Sequence, residues 1–319
     1  MLASLVVVGN LSVDTMSISP ESHTNIYPVN SSISVMEGQE SVSHLNNILS
    51  TDITSLGSGG RIDGLICDSN GRVADIISCY HMGQGILITG LGLNTHSTRE
   101  LLTKGIPWNK EISLLDGNGA LEHFKIIGEK SSYLLEKLYP ELTKLSENKY
   151  SEYANVMFST GNHNGYQVID VITRSGNTDF FSRVEESDFE ISKKEDWDAA
   201  RIKIGFPGGN EANAKYLPHD IGMGKLVSLN KGCYPGQEIH ARLDSRGSPK
   251  KRIVMLSTNI GLELGKYGAF IGCSNYPECK FTKQIASNQN KEENAANNIF
   301  MPENDGVLGV DPETGLNVI

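Results

Sequence analysis

The sequence predicts an α+β fold whose sheets are mostly antiparallel. Short apolar runs typical of strands alternate with amphipathic segments typical of helices, and sharp turns join several strands. The clearest turn is Asn70-Gly71, between apolar runs at 64–67 and 73–80, because Asn-Gly supplies the left-handed backbone of a tight hairpin. A second glycine-rich turn separates the runs at 112–115 and 121–127. Hairpins among the helices argue against a doubly wound parallel sheet.

Each element follows from a local pattern. Helix starts are marked by polar caps and helix ends by glycine, as in the segment that Thr95 caps and Gly105 stops. A helix after Gly38 carries apolar residues at helical spacing, whereas residues 17–32 are rich in Ser, Pro and Asn and predict a loop. Strands are predicted at 5–8, 33–36, 64–67, 73–80, 86–89, 112–115, 121–127, 156–159, 167–173 and 252–257, and helices at 38–49, 95–104, 129–138, 197–204 and 235–244.

Composition limits the classes of function. The 319 residues leave room for two or three domains. A formal net charge of -10 argues against a general binder of nucleic acids or anionic membranes, although 246–252 form a local basic run. Five cysteines without a dense framework predict a reducing compartment, hence a cytoplasmic protein. Residues 1–8 read as a strand and not as a signal peptide, and no stretch is long enough to cross a membrane.

One stretch has an unusual composition, with two glycines and a proline around a single cysteine. It reads Lys231-Gly232-Cys233-Tyr234-Pro235-Gly236-Gln237-Glu238. The pattern predicts a sharp turn and then a helix, with Pro235 near its first position and Gly247 beyond its end. A cysteine just before a helix and two residues from Lys231 favours the thiolate, which is the reactive form. The alternative from the residues alone is a buried structural cysteine.

Lys-Gly-Cys-Tyr-x-Gly-Gln-Glu resembles the signature of the YgfZ-type folate-binding proteins, relatives of the glycine-cleavage T-protein. The flanking runs agree with that signature, and they are Arg201, Gly205-Phe206-Pro207, Glu211, 217–222 and 239–247. The resemblance implies two interleaved α/β domains around a central folate channel, followed by a small β-barrel. It assigns 1–250 to the folate-binding domains and 251–265 to the start of a truncated barrel.

The resemblance also implies the site residues. Cys233 is the expected reactive residue, with Lys231, Gly232, Tyr234, Gly236, Gln237 and Glu238 as the folate-binding loop around it. Glu211 is the candidate carboxylate for the pterin, and Arg201 is either a contact that organises the site or a structural ion pair. The T-protein has an acidic doublet where this chain has Ala74-Asp75, so Asp75 alone remains and a catalytic acid is missing or displaced. No metal site is expected.

This family implies a folate-binding accessory protein for the maturation or repair of iron–sulfur enzymes, its clients, and through them for tRNA modification. The cofactor would be tetrahydrofolate. A tetrahydrofolate-dependent aminomethyltransferase of the glycine cleavage system is the alternative, and the single acid at Asp75 weakens it. Whether the chain is an enzyme stays open at this point.

The end of the chain follows another pattern. Residues 266–282 resemble half of the zinc ribbon of bacterial type IA DNA topoisomerases, and 309–316 resemble the segment that follows it there. Cys273 and Cys279 supply two of the four ligands that zinc requires, and residues 284–299 have the composition of a disordered segment. We expect 266–319 to be a half ribbon with an irregular tail, joined by gene fusion or by an error in the assembled sequence. A nucleic-acid module built on this tail is a third hypothesis, which the net acidity disfavours.

Overall fold

The computed structural model describes most of the first 250 residues and parts of the remainder. The described residues are 7–8, 24–91, 95–142, 144–247, 249, 251, 253–254, 260–265, 268–273, 282–284, 309–310 and 317–318. The chain divides into two compact units. The first comprises Met1–Leu2 and Ser12–Ile253, and the second comprises Ala3–Leu11 and Val254–Ile319.

Strands outnumber helices in the described part of the chain. The strands are β1 (Val7–Val8), β2 (Asn25–Val29), β3 (Ser32–Glu37), β4 (Arg61–Cys67), β5 (Val73–His81), β6 (Gly85–Gly90), β7 (Ser113–Asp116), β8 (Leu121–Ile127), β9 (Tyr150–Tyr153), β10 (Val156–His163), β11 (Tyr166–Arg174), β12 (Ile253–Val254), β13 (Ile260–Gly265), β14 (Gly268–Cys273), β15 (Thr282–Gln284), β16 (Gly309–Val310) and β17 (Asn317–Val318). The helices are α1 (Ser41–Ile48), α2 (Thr95–Thr103), α3 (Ser131–Leu138), α4 (Thr178–Glu185), α5 (Asp196–Lys203) and α6 (Gln237–Arg246), with a 3-10 turn at Gly224–Leu226.

The first sheet of the first unit, sheet A, has the strand order β4-β5-β6-β3-β7 with antiparallel neighbours. Its outer face packs on α1 through a core that includes Leu45, Ile77 and Ile88, and Leu102 of α2 joins the same core. The predicted hairpin between β4 and β5 is confirmed, and Gly71 has the left-handed φ of 75° that the turn requires.

The second sheet, sheet B, has the order β2-β8-β11-β10-β9, again antiparallel. Its outer face packs on α3 and α4 through a core that includes Leu134, Phe158, Val171 and Phe180. The first unit is therefore a mixture of helices and antiparallel sheets, and the predicted α+β class is confirmed at this level.

The inner faces of the two sheets meet. Tyr80 and Leu87 of sheet A share a buried cluster with Met157 and Ile172 of sheet B. Successive side chains of a strand point to opposite faces, so the residues between those of the outer cores face inward. This alternation places polar side chains from both sheets in the space between them.

Two local predictions were wrong. Residues 25–29 were expected in a loop but form β2, where Pro28 is tolerated because β2 lies at the edge of sheet B and a proline there removes no central ladder bond. The strands predicted on either side of the 116–119 turn are present as β7 and β8, and they join different sheets. Helix α6 begins at Gln237, because Gly236 is left-handed (φ 82°), so Pro235 precedes the helix. Strand β9 and helix α4 were not predicted.

Besides the two-stranded sheet of β1 and β12, the described part of the second unit holds two small antiparallel sheets. They have the orders β13-β14-β15 and β16-β17. The barrel and the disorder expected beyond residue 250 fall largely on residues outside those described, so both stay predictions, as does the division into domains. Among the described residues no helix is long and apolar enough to cross a membrane.

Candidate functional site

A cavity of about 370 Å³ lies between the inner faces of sheets A and B. Its walls come from β4, β5 and β6 on one side and from β8, β10 and β11 on the other. Residues 28–31 and the segment that follows α5 close the remaining sides. The cavity has the volume of a small-molecule site.

A cluster of buried charges forms one wall of the cavity. The Asp170 carboxylate accepts a hydrogen bond from the Lys125 ammonium and one from His123 Nε2 at 2.9 Å, and its other oxygen lies 3.3 Å from Arg61 Nη2. Arg61 also pairs with Asp63 at 2.9 Å. Burial by itself raises the pKa of Asp170, but Lys125, His123 and Arg61 together hold it well below its usual range. Asp170 is therefore ionised at neutral pH.

Strand register brings this cluster together. Asp170 of β11 lies directly opposite Lys125 of β8, and His123 lies two residues away on the same face of β8. The intervening residues Phe124 and Val171 face the opposite side and enter the outer core. The sequence interpretation missed Asp170, Lys125, His123 and Arg61. A single aspartate within the apolar run 168–172 is the signal that could have found the cluster.

His123 connects the cluster to a serine. Its Nδ1 lies 2.6 Å from the Ser31 hydroxyl, while its Nε2 bonds Asp170. Because an ionised carboxylate only accepts, Nε2 carries the proton and Nδ1 accepts from Ser31. Burial lowers the pKa of His123, and Lys125 adds to this lowering, although the bond to Asp170 acts in the opposite direction. The imidazole is therefore neutral at neutral pH.

Arg201 lies in the opposite wall. Its Nε donates to Asp198 at 2.6 Å and its Nη1 donates to Glu211 at 3.2 Å. Glu211 also accepts the Gly208 N–H at 2.7 Å, and a side chain at Gly208 would come within 2.3 Å of the Arg201 guanidinium. Arg201 thus forms ion pairs and also lies in the cavity wall, and its role in organising a ligand site stays a prediction. Glu211 is buried behind it and is not among the residues that line the cavity.

The cavity has more cationic than anionic side chains. The cations that line it are Arg61, Lys125, Lys194, Arg201 and Lys225, and the carboxylates are Asp63, Asp170 and Asp198. The carboxylates are paired with Arg61, Lys125 and Arg201, which leaves two lysines in excess, Lys194 and Lys225. Trp197 and Phe206 add aromatic surface. This lining suits a flat aromatic ligand that carries negative charge.

The Cys233 loop, residues 231–238, lies outside this lining. Cys233 is an exposed free thiol. Lys231 donates from its ammonium to the carbonyl oxygens of Leu49 (2.7 Å) and Thr51 (2.9 Å), and also to Asn46. Partial burial lowers the pKa of Lys231 to about 8, and the nearby Asp52 partly offsets this effect. Lys231 therefore fastens the loop to the carboxyl end of α1, where a cation complements the helix dipole.

The other end of the loop is fastened to the β4–β5 turn. His240 is fully buried and its Nε2 lies 2.8 Å from the Gly71 carbonyl oxygen, while the Tyr234 hydroxyl lies 3.3 Å from its Nδ1. A side chain at Gly236 would come within 2.3 Å of Gly71 Cα, so only glycine fits there. Burial lowers the pKa of His240 and raises that of Tyr234 to about 12. The loop thus holds Cys233 on a fixed backbone.

The remaining predicted residues have separate surroundings. Gln237 donates to the Lys231 carbonyl oxygen at 3.3 Å, and Glu238 forms an exposed pair with Arg242. Asp75 is buried and accepts from Thr98 at 2.6 Å and from the backbone of Ile76 and Leu91. Burial raises the pKa of Asp75. It lies directly behind Gly90 of the cavity wall, where a side chain would come within 2.8 Å of its carboxylate.

Of the predicted site residues, the structure therefore places Arg201 in the cavity wall, with Asp75 and Glu211 immediately behind the wall. The loop residues form a separate group around Cys233 on the surface. Their predicted contact with a ligand stays a prediction.

Reactive thiols are few in the described part of the chain. Burial raises the pKa of both Cys67 and Cys79 to about 12, so these thiols are protonated and inert. Among the described residues no group of three or more His, Cys, Asp or Glu side chains is arranged to hold a metal ion.

Comparison with known proteins confirms the resemblance over the first part of the chain. The "tRNA-modifying protein YgfZ" of Hamiltonella defensa is 25% identical over 69% of this chain and 66% of that relative. Aminomethyltransferase T of the glycine cleavage system from Bartonella henselae has a similar fold, with a TM-score of 0.59, 15% identity and coverage of 71% of this chain and 64% of that chain. The chain thus spans about two thirds of the length of each of these proteins.

The C-terminal resemblance is also confirmed. Residues 258–288 match the family "Topoisomerase DNA binding C4 zinc finger". "DNA topoisomerase 1" of Rickettsia conorii is 44% identical over 21% of this chain, which is 9% of that protein. A C4 finger uses four cysteines, and the matched stretch contains only Cys273 and Cys279. The residues present therefore do not make a complete zinc site.

Proposed function

We propose that the chain binds tetrahydrofolate in the cavity between sheets A and B and serves as a cytoplasmic accessory protein for iron–sulfur enzymes. Through these clients it would support tRNA modification, the activity that the name of its Hamiltonella relative states. The cavity corresponds in this proposal to the folate channel between two interleaved domains. Cys233 is its reactive residue, and it acts at the surface of the protein.

The observation that carries the proposal is the match between the cavity lining and the chemistry of a folate. The pterin is flat and aromatic, and Trp197 and Phe206 offer faces for it. The glutamate tail carries two carboxylates, and the cavity has two lysines beyond those its own acids neutralise, Lys194 and Lys225. Lys225 has no ion-pair partner among the described residues, so it is available to a ligand.

In this arrangement Glu211 and Asp75 act from behind the wall. Glu211 holds Arg201 in place, and a guanidinium suits a carboxylate ligand. Direct contact of Glu211 with the pterin, as predicted from the sequence, requires that a bound ligand displace Arg201 or the Gly208 N–H from it. Both arrangements predict that Glu211→Gln weakens folate binding.

The two tryptophans provide a test with an internal control. Trp197 lines the cavity, whereas the Trp108 side chain is 97% exposed. Titration with tetrahydrofolate should change the fluorescence of the protein and of the Trp108→Phe variant, and Trp197→Phe should abolish the change. Calorimetry on the same samples should give one saturable site. Saturable binding that leaves Trp197 fluorescence unchanged would place the ligand outside the cavity, and absence of binding in the folded protein would refute the proposal.

An aminomethyltransferase is the second candidate, favoured by the fold that the chain shares with aminomethyltransferase T. That reaction would need an acid near the folate. The acid that the sequence comparison singles out is Asp75, which is buried behind Gly90 with both oxygens hydrogen-bonded. Turnover of an aminomethyl-lipoyl donor that Asp75→Asn abolishes would support this candidate over the first.

A further inference from the structure

We propose that Ser31 is a nucleophile, activated by His123 and Asp170, and that it accepts an acyl group from an ester or thioester that enters the cavity. The three side chains form a continuous hydrogen-bonded chain, with Ser31 Oγ 2.6 Å from His123 Nδ1 and His123 Nε2 2.9 Å from Asp170. All three line the cavity. The inference stands apart from the folate proposal because it requires no folate.

The arrangement has the parts of a nucleophile, a base and a residue that orients the base. Asp170 accepts the Nε2 proton of His123, so the free lone pair of the imidazole points at the Ser31 hydroxyl. Either ring nitrogen serves as the base, since such sites are defined by geometry and roles and not by chain order. Burial keeps the pKa of His123 low, so its unprotonated form is present at neutral pH.

The position of Ser31 is fixed by its backbone. Its N–H donates to the Val29 carbonyl oxygen at 3.0 Å, and its own carbonyl oxygen accepts from Asn118 Nδ2 at 2.8 Å. The oxygen of the same amide accepts the Ile33 N–H at 3.0 Å. Asn118 thus holds the backbone on both sides of Ser32, directly after Ser31. A hydroxyl held in this way loses little entropy when it attacks.

The reaction balances with water as the only co-reactant. Ser31 Oγ bonds to the carbonyl carbon, the hydroxyl proton passes to His123 Nδ1, and the bond from that carbon to the leaving alcohol or thiol breaks as the leaving group takes the proton. Water then attacks the acyl-serine, His123 takes a proton from the water, and Ser31 recovers its proton as the acid leaves. Lys125 lies on the same face of β8 as His123 and is the cation that we assign to stabilising the oxyanion.

The ion pairs around Asp170 also limit the rate at which Ser31 is acylated. Asp170 is shared with Lys125 and Arg61, so it stabilises an imidazolium at His123 less than an unshared carboxylate would. We therefore expect slow acylation, which covalent labelling detects better than turnover does.

The test uses a small fluorophosphonate, whose phosphorus bonds to an activated serine oxygen as fluoride leaves. The intact protein should gain one adduct per chain, and peptide mapping should place it on Ser31. Ser78 lines the same cavity and is more exposed, but it donates to Asp63 and has no imidazole partner, so it should stay unlabelled. A folded protein without an adduct, or an adduct on Ser78, would overturn the proposal whether or not any variant folds.

Variants separate activation from accessibility. Ser31→Ala should abolish labelling, and His123→Gln should slow it at least about 100-fold, the usual contribution of a general base. Asp170 is a positioning residue, so Asp170→Asn should slow labelling even in samples whose melting shows that they are folded. Ser245→Ala removes an exposed serine on α6 and should leave the labelling rate unchanged. An unchanged rate in folded His123→Gln would contradict activation by the imidazole.

Discussion

The cavity wall and the Cys233 loop both carry charged and nucleophilic groups, but they expose those groups in opposite ways. In the cavity, Asp170, Lys125 and Arg61 satisfy one another out of contact with bulk water. At the loop, Lys231 and His240 of the following helix α6 are engaged by the backbone of neighbouring elements, and Cys233 is left exposed.

The difference fits the two roles that we propose. In the proposed function the cavity wall would recognise a ligand through side chains already ordered by one another, so that little reorganisation is needed on binding. The loop would present the Cys233 thiol, on a fixed backbone, to the surface of a partner macromolecule. The enclosed cavity wall thus suits a small ligand, and the exposed thiol of the loop suits a macromolecular client. The following variants test whether the two regions are as independent as this comparison implies.

The largest effect is expected in the cavity wall. Asp170→Asn leaves Lys125 and Arg61 facing each other without their shared anion, and breaking a buried pair in this way costs about 3–5 kcal/mol. Urea unfolding should measure the loss. Asp63→Asn is the matched control, because Asp63 pairs with the same arginine but its side chain is 34% exposed, and it should cost much less. Equal losses of unfolding free energy in Asp170→Asn and Asp63→Asn would mean that burial of the cluster does not contribute to its effect on stability.

A smaller loss is expected at the anchor of the loop. Gly236→Ala forces an alanine into a left-handed conformation and against the Gly71 backbone, which should destabilise the protein by about 2 kcal/mol or more. Gly232→Ala is the control in the same loop, since a side chain there meets nothing within 4 Å. If the regions are independent, neither change alters folate affinity in folded samples. A weaker affinity in Gly236→Ala alone would show coupling between them.

The pH dependence should reveal the buried histidines of both regions. Burial lowers the pKa of His240 and of His123 in the folded protein, whereas the unfolded chain takes up protons near the usual value of about 6.5. The unfolded state therefore binds more protons below that pH, and the free energy of unfolding falls as the pH drops from about 6.5 toward 5. In His240→Gln this fall should be shallower. If the free energy of unfolding fell equally steeply with pH in His240→Gln and in the unchanged protein, His240 would not be buried as a neutral group.

The smallest structural effect is expected at the thiol itself. Cys233→Ser changes an exposed side chain outside the cavity, so stability should shift by less than about 0.5 kcal/mol and folate affinity should not change. The same variant should lose the ability to restore iron–sulfur enzyme activity in a complementation assay. Intact complementation by Cys233→Ser would show that the thiol is not needed for the proposed function. Loss of folate binding in this variant would show that the loop contributes to the folate site.

Local structure was predictable where a few adjacent residues determine it. The Asn70-Gly71 hairpin and the glycine stop after α2 follow from backbone preferences that do not depend on distant contacts. The edge strand β2 was missed because its proline and polar neighbours resemble a loop until sheet B supplies a partner.

The site was predictable only in part, for a related reason. Arg201 could be identified because it belongs to a recognisable run of sequence. The cluster around Asp170 draws on three other segments far apart in the chain, which supply Ser31, Arg61, and the β8 pair His123 and Lys125. When polar and apolar residues alternate along a strand, its polar face ordinarily contacts water. Here the other sheet covers that polar face, so that it becomes a cavity wall.

The strand order also has a consequence for how the protein is made. All five strands of sheet A lie between residues 32 and 116, whereas β2 of sheet B must pair with β8, which begins at Leu121. During synthesis β2 emerges before every strand of sheet A, and its partner β8 emerges only after all of them. Pro28 removes one backbone donor from β2, which makes this strand a poorer template for pairing with a wrong partner during that interval.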